Sequence, residues 1–325
     1  MKAIVCPRYG STDVLELREV ERPTPQDHEV RIRVAAASIN AWDWDIVRGR
    51  PYAFRLIHGL ARPKWPILGA DVAGVVESIG SKVQRFKPGD EVFGDLSESD
   101  WGALAEYVCA NEAALVKKPA SMTFEQAAAT PQAGLLALQS IQRFQPIEAG
   151  QRLLINGAGG GAGTFAIQLA KAAGAEVIAV DSRPKFEMMD ALGADALLDY
   201  READYTQNAA SYDFILDFVA HRSVFSYARA LKPNGQFIMV GGSVGALLQA
   251  GLLGSLVARK DRRISILPYK IDTGDLETMI HYFEAGTVKP VIDRIFPLEE
   301  AAAAVKHLGD GHVLGKVVVT VQVTA

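Results

Sequence analysis

The stretch "NGAGGGAGT", Asn156 to Thr164, carries seven consecutive residues, Gly157 to Gly163, with no side chain larger than a methyl. It follows the apolar run "RLLIN" and precedes "TFAIQLAKAAG", whose apolar residues recur at helical spacing. Bare backbone between a strand and a helix start lets peptide N–H groups approach a pyrophosphate, and the helix N-terminus adds its positive dipole end. Two registers of a dinucleotide fingerprint fit imperfectly: Gly157, Gly159, Ala162, and Ala158, Gly160, Gly163, with Gly161 common to the run. Close packing alone also selects such glycines. The next strand favours the nucleotide, because "EVIAV" runs into Asp181, roughly twenty residues downstream, where a ribose-binding acid belongs.

Asp181 bears on which nicotinamide nucleotide fits. A carboxylate about 4 Å from one unit of 2′-phosphate charge costs on the order of 4 kcal/mol at an effective dielectric of about 20, which leans the site toward NADH. Ser182, Arg183 and Lys185 follow at once. A guanidinium at the same range offsets a comparable amount and leaves NADPH open, the competing reading of both cations being a solvated loop. A second chemistry-bearing stretch is "NAWDWD", Asn40 to Asp45. Beyond it, Trp42, Trp44, Tyr52, Phe54 and Trp65 share residues 42–65 with Arg48, Arg50, Arg55, Arg62 and Lys64, and no acid occurs between Asp45 and Asp71. Such a basic, aromatic lip suits a planar or anionic acceptor, against the reading of aromatics that pack a long loop onto its domain. His58 in that loop is expected to be exposed.

The elements that must hold these residues alternate in two ways. Residues 1 to about 118 run through short β-rich stretches ("EVRIRVAAASI", "DVAGVVESIG", "DEVFG") broken by Gly, Pro and Asp, which predicts a mostly β domain. From about 150 to 267, "RLLIN", "EVIAV", "ALLDY", "DFILDF", "QFIMVG" and "RISIL" read as strands with helical patterns between several of them. That alternation predicts an α/β fold with a doubly wound parallel sheet. The tail from 268 to 325 ends on "GKVVVTVQV", an edge or closing strand able to rejoin the first domain. A chain of 325 residues is long for one core and fits two domains.

With 34 Lys and Arg against 38 Asp and Glu, the net charge of -4 gives no general attraction to nucleic acid or an anionic membrane. Cys6 and Cys109 are too few for a disulfide framework, which fits a reducing compartment, and no secretory signal is read in "MKAIVCPRYG", so a cytoplasmic location is expected. Phe237 to Ala258 holds 22 residues without a charge, but its five glycines and Gln249 break it into strand, loop and an apolar helix from Leu247 to Val257. No integral membrane segment is expected. A helix so apolar is normally buried, in the core, at a subunit interface or along a substrate channel, with peripheral membrane contact aided by "RKDRR" as a lesser alternative.

"PILGADVAGVVESIGSKVQRFKPGDEVFG", "GALAEYV", "LINGAGGGAGTFAIQLAKAAGA", "LGADALLDY", "ALKPNGQFIMVGG", "KPVIDRIFPLEEA" and "GKVVV" together resemble the medium-chain dehydrogenase/reductase superfamily over nearly the whole chain. The resemblance is to its zinc-independent quinone oxidoreductase and enone reductase branch, which includes zeta-crystallin. It implies a GroES-like catalytic domain (1–118, resumed at 268–325) with a Rossmann domain (119–267) inserted in it. The zinc members need a Cys, a His beside a Glu, and a later Cys or Asp. Here the first slot is Asn40, the Gly-His-Glu slot reads Gly69, Ala70, Asp71, and the four-cysteine structural lobe is missing. No zinc is expected, and Cys109 is read as a small buried hydrophobe.

The resemblance implies hydride transfer from NAD(P)H to an enone or quinone, an acceptor that needs little electrophilic help. The family's Asn-Pro-x-Asp near the nicotinamide corresponds to Asn40, Ala41, Trp42 and Asp43. Asn40 and Asp43 are read equally as site residues and as hydrogen-bonding turn residues. Asp45 stands where quinone reductases often carry a tyrosine, and Tyr52 or water serves as well for the proton. Thr130 and Gly134 of "TPQAG", Gly241, Gly242 and Ser243 of "VGGS", and Gly315 and Lys316 of "GK" correspond to positions along the cofactor. Val219 and His221 replace part of a Val-Gly-Asn, so His221 reaches a ribose hydroxyl or caps a helix. The alternatives are an alcohol dehydrogenase-like enzyme of the same superfamily and a nucleotide-binding protein with little turnover. A small-molecule substrate and a homodimer are expected.

Overall fold

A computed structural model describes residues 1–144, 146–257 and 261–322. Its strands are β1 (Lys2–Val5), β2 (Glu16–Glu19), β3 (Glu29–Ile39), β4 (Asp71–Ile79), β5 (Glu91–Asp95), β6 (Tyr107–Asn111), β7 (Leu115–Lys117), β8 (Arg152–Asn156), β9 (Glu176–Asp181), β10 (Ala196–Asp199), β11 (Tyr212–Asp217), β12 (Leu231–Met239), β13 (Arg263–Ile266), β14 (Ile292–Pro297) and β15 (Lys316–Thr320). The chain divides into two compact units, one of Met1–Gln132, Ile271–Glu284 and Pro290–Ala325, the other of Ala133–Lys270 and Ala285–Lys289. The first boundary falls after Gln132 rather than after 118, because the short helix Phe124–Ala128 packs on β3, β4 and β15. The return falls after Lys270 rather than after 267, since the Lys270 backbone is bonded to the Gln139 side chain on both its N–H and its carbonyl. Ala285–Lys289 rejoins the second unit through Lys289, whose N–H and carbonyl bond the Gln168 side chain.

In the second unit the strand order is β10-β9-β8-β11-β12-β13, every neighbouring pair parallel. This is the doubly wound Rossmann order. Central β8 buries Leu153, Leu154 and Ile155 completely, as a strand covered on both faces does. "KPNG" lies inside β12 as an irregularity, with Asn234 at φ +64° beside a register shift against β11.

In the first unit the order is β14-β15-β3-β4-β5-β7, with β6 also paired to β3 and β1 to β2 in a separate ribbon. The closing strand β15 lies inside this sheet, between β14 and β3. Its register positions the site: Val317 faces Ile39 across one ladder and Ser38 faces Asp71 across the next, so Lys316, Asn40 and Asp71 converge.

The apolar helix starts earlier than the sequence pattern suggested, spanning Val244–Val257, and it is not buried all round. Ala246 and Ala250 face inward, and Gly254 sits against Ile264 of β13, where a methyl would meet its Cγ2 at 3.3 Å. Small residues bring the helix onto the sheet, and the bulkier Leu247, Leu248 and Leu252 are left exposed at 42%, 55% and 71%. Of the basic run after it, Arg259 and Lys260 lie outside the described residues. Among the described residues no helix is long and apolar enough to cross a membrane.

Candidate functional site

A buried ammonium organises the polar site of the first unit. Lys316, the first residue of β15, is almost fully buried, and its Nζ donates to Asn40 Oδ1, to Asp71 Oδ2 at 3.2 Å and to the Ile39 carbonyl at 3.3 Å. Asp71 also accepts from Ser38 Oγ (2.7 Å), Asn40 Nδ2 (2.9 Å) and the Gln132 N–H (3.0 Å). A buried charge pair is tolerable only when its remaining hydrogen-bonding capacity is met, and here it is met on both sides. The family resemblance places Lys316 along the cofactor, but its ammonium is committed inward, to this cluster.

Asn40 caps the helix Ala41–Arg48 in a reciprocal box with Asp43. Asp43 is fully buried and accepts from the Asn40 N–H at 2.8 Å and the Gly69 N–H at 2.9 Å. Burial pushes its carboxyl up to about 7, against those two donors. Asp43 thus ties its own helix turn to the Gly69 backbone, while Asn40 joins the turn to the ammonium cluster. Asp45 is half-buried, burial raising its carboxyl to about 6 despite Arg48 at 3.7 Å. Tyr52 is 63% exposed with its ring against Arg50 and Arg55, so it is not gathered with Asn40. His58 is not exposed as expected but half-buried among Phe54, Trp65 and Trp101, and burial lowers its pKa. Cys109 is half-buried on β6, and burial pushes its thiol up to about 12, which leaves it protonated.

In the second unit the glycine run bridges β8 and the helix Gly161–Ala172. Gly157 has φ +79°, a left-handed conformation glycine adopts without strain, and a methyl on Gly163 would sit 2.2 Å from the Gly157 carbonyl. The turn is thus closed by backbone packing alone. Gly160 stands at the N-cap with no side-chain cap, so the first N–H groups of the helix, from Gly161, Ala162 and Gly163, have no intrahelical acceptor. Ala158 is buried, its N–H on the Val180 carbonyl. That cradle fits a dinucleotide pyrophosphate.

Asp181 ends β9 beside it. Its carboxylate accepts from the Gly159 N–H (3.0 Å) and the Ser182 N–H (2.8 Å), and pairs with Lys185 Nζ at 3.2 Å, both side chains about nine-tenths buried. Arg183 turns away, to Glu202 at 2.7 Å on the surface. The two cations therefore part: Lys185 is buried against Asp181, and Arg183 lies in the solvated surface with Glu202.

A cluster the sequence reading missed lies at the carboxyl ends of β8 and β11. Buried Asp217 accepts from Asn156 Nδ2 (2.8 Å), Tyr205 Oη (3.0 Å), Tyr227 Oη (2.8 Å) and the Val219 N–H (3.0 Å). Burial raises its carboxyl pKa. The cluster fixes the start of the loop in which Val219 is half exposed and Ala220 bridges Gly242. Ser243 caps the helix Val244–Val257, accepting from Ala246 N–H at 3.2 Å. His221 is exposed, its Nδ1 on the Val219 carbonyl, and the following helix is capped by Ser223 instead. Gly241 and Gly242 pack so close to Phe218 and Ala220 that a methyl would strike their carbonyls at 2.5 and 2.2 Å. Thr130 is buried, its hydroxyl donating to the Gln126 carbonyl, and Gly134 lies buried in the helix Pro131–Gln142.

The positions where zinc relatives carry ligands do not fit that ion. The cysteine slot holds the Asn40 amide and the histidine slot the methyl of Ala70, with Asp71 beside them already paired to an ammonium, whereas zinc takes thiolate, imidazole and carboxylate in a tetrahedral set. Among the described residues no group of three or more His, Cys, Asp or Glu is placed to hold a metal.

A GroES-like unit holding this polar cluster and a Rossmann unit holding this glycine cradle define a nucleotide-dependent dehydrogenase/reductase architecture. Family models described as "Alcohol dehydrogenase GroES-like domain" and "Zinc-binding dehydrogenase" match residues 26–120 and 192–319. The chain is 34% identical over 322 residues to the chloroplast envelope quinone oxidoreductase homolog of Arabidopsis thaliana, covering 95% of each. It is 32% identical to the chloroplastic NADPH-dependent alkenal/one oxidoreductase of the same plant, covering 98% of this chain and 79% of that one. The quinone oxidoreductase structure from Coxiella burnetii superposes with a TM-score of 0.89 at 32% identity over 99% of each chain. The chain belongs to the medium-chain dehydrogenase/reductase superfamily, in its quinone oxidoreductase and enone reductase branch.

Two outcomes follow from the polar cluster. Asp71→Asn and Lys316→Met each destabilise the chain by about 3–5 kcal/mol, and the double variant loses less than their sum, as a urea-unfolding cycle measures. Asp43 has a folded pKa above its unfolded value, so its contribution is complete below about pH 4 and lost as pH rises through about 7. Relative to Asp43→Asn, the wild type therefore loses up to about 4 kcal/mol over that window, checked by unfolding midpoints across pH.

Proposed function

We propose that this chain is a zinc-independent oxidoreductase that reduces quinones or α,β-unsaturated carbonyls with NAD(P)H. The observation that carries the reading is the uncapped helix N-terminus behind the bare Gly157–Gly163 turn, with Asp181 at the next strand end. A bound nicotinamide supplies the hydride. The chain supplies the binding and orientation: Gly161, Ala162 and Gly163 N–H groups toward the pyrophosphate, and the Asp217-anchored loop with Gly241 and Gly242 at the ends of β11 and β12. The Asn40–Asp71–Lys316 cluster holds the backbone at Asn40 and Gly69–Asp71 rigid without a metal. Asp45, with its carboxyl raised to about 6, is the partly accessible acid able to release a proton near neutrality.

On the nucleotide, the Asp181–Lys185 pair supports acceptance of NADPH beside NADH. The carboxylate that would repel a 2′-phosphate is already neutralised by a buried ammonium at 3.2 Å. The exposed Leu247, Leu248 and Leu252 face supports a homodimer, and the two free thiols fit a reducing, cytoplasmic setting.

Chelator-treated protein is expected to oxidise NADH and NADPH when a quinone or a conjugated alkenal is offered; cofactor binding without turnover on either acceptor would instead favour the nucleotide-binding protein. Lys185→Met unmasks Asp181 and is expected to weaken NADPH binding at least about tenfold more than NADH binding, read by equilibrium titration.

A further inference from the structure

The segment from Pro51 to Lys64 in the first unit is anchored on one side and left bare on the other. A 3-10 turn, Tyr52–Phe54, runs into a single helical turn, Arg55–His58. Phe54 and His58, four residues apart, share one face of that turn, and the His58 ring packs edge-on against Trp65 and Trp101. Arg55 Nε donates to the Gly49 carbonyl at 2.9 Å with its guanidinium over the Tyr9 ring, and Tyr9 Oη donates to the Gly59 carbonyl. Gly59 ends the turn at φ +111°, where a methyl would lie 2.2 Å from the Arg62 carbonyl.

Leu56, Ile57 and Leu60 point away from all of these anchors and are exposed at 78%, 68% and 71%. A lone exposed aliphatic is ordinary, but three within five residues form an apolar patch that calls for an occupant. The charge around the patch has one sign. Arg50, Arg62 and Lys64 are exposed, Arg48 and Arg55 are half-buried, and residues 46–70 contain no acid. Among the described residues only Arg48 of the five cations has an ion pair, with Asp45 at 3.7 Å. Asp100, at the margin, accepts from Trp65 Nε1 at 2.9 Å.

We propose that this face docks on an anionic lipid surface, with Leu56, Ile57 and Leu60 entering the acyl boundary and Arg50, Arg62 and Lys64 meeting headgroup phosphates. Long cationic side chains reach up to the phosphates while short aliphatic ones sink below them, so the two kinds of residue are served at two depths of one surface. A second copy fits less well: a two-fold contact would set the same five cations against themselves. Nucleic acid would satisfy the cations and leave the aliphatics in water. With a net charge of -4 over the chain, the attraction belongs to this face and not to the protein as a whole. The inference is independent of the reductase reading.

The test is co-sedimentation of the full chain with sucrose-loaded vesicles, either of phosphatidylcholine alone or with about one-third phosphatidylglycerol, which supplies the anionic surface. Binding is expected on the mixed vesicles, at least about tenfold weaker on phosphatidylcholine, and progressively lost as salt is raised toward about 0.5 M. The double variants Leu56→Asn/Ile57→Asn and Arg62→Glu/Lys64→Glu, with far-ultraviolet dichroism matching the wild type, are each expected to weaken binding at least about tenfold. No binding to the mixed vesicles, equal binding to both compositions, or binding that neither variant reduces would overturn the proposal. Binding that falls with the charge reversal but survives loss of the aliphatics would also overturn it, as a general polyanion contact. Self-association in light scattering that Leu56→Asn/Ile57→Asn abolishes would put a second copy on this face instead.

Discussion

An ammonium withdrawn from water must find oxygens, and the first unit is arranged around that requirement. Lys316 reaches its partners only because β15 pairs with β3 and β3 with β4 in one particular register, so that Asn40 and Asp71 arrive on the same side. A slip of one residue in either ladder would turn the lysine to the opposite face of the sheet and strand both charges. The cluster therefore specifies the register as much as the register creates the cluster. The Asn40 cap, the Gly69 N–H on Asp43 and the Gln132 N–H on Asp71 all inherit their positions from it.

The second unit meets a parallel requirement with the opposite means. Its glycine loop presents bare backbone, and neighbouring carboxylates fix that bareness in place: Asp181 on the Gly159 N–H, Asp217 on the Val219 N–H. Both carboxylates sit at carboxyl ends of parallel strands, where a doubly wound sheet leaves its crevice.

Much of this was legible in the residues. The strands of the second unit and the glycine turn were readable because local periodicity and glycine spacing encode them directly. The roles of Asn40 and Asp43 were half legible, since a hydrogen-bonded turn was visible but not the partner 276 residues away in Lys316. Long-range pairings of this kind leave no local pattern, which is also why Ser38, Tyr205, Tyr227 and Asp217 went unread. The apolar helix misled for a different reason. Composition reports how apolar a helix is, but which face carries the small residues decides what is buried.

The placement of the indoles has one more consequence. The chain has four tryptophans, Trp42, Trp44, Trp65 and Trp101, and every one belongs to the first unit, while the second has none. Indole emission is thus an intrinsic reporter of one unit alone, and the Rossmann unit is dark in that channel. Far-ultraviolet dichroism registers the helices of both. Loss of one signal ahead of the other would resolve the unfolding of each unit in a single unlabelled chain, with no mutation and no dye.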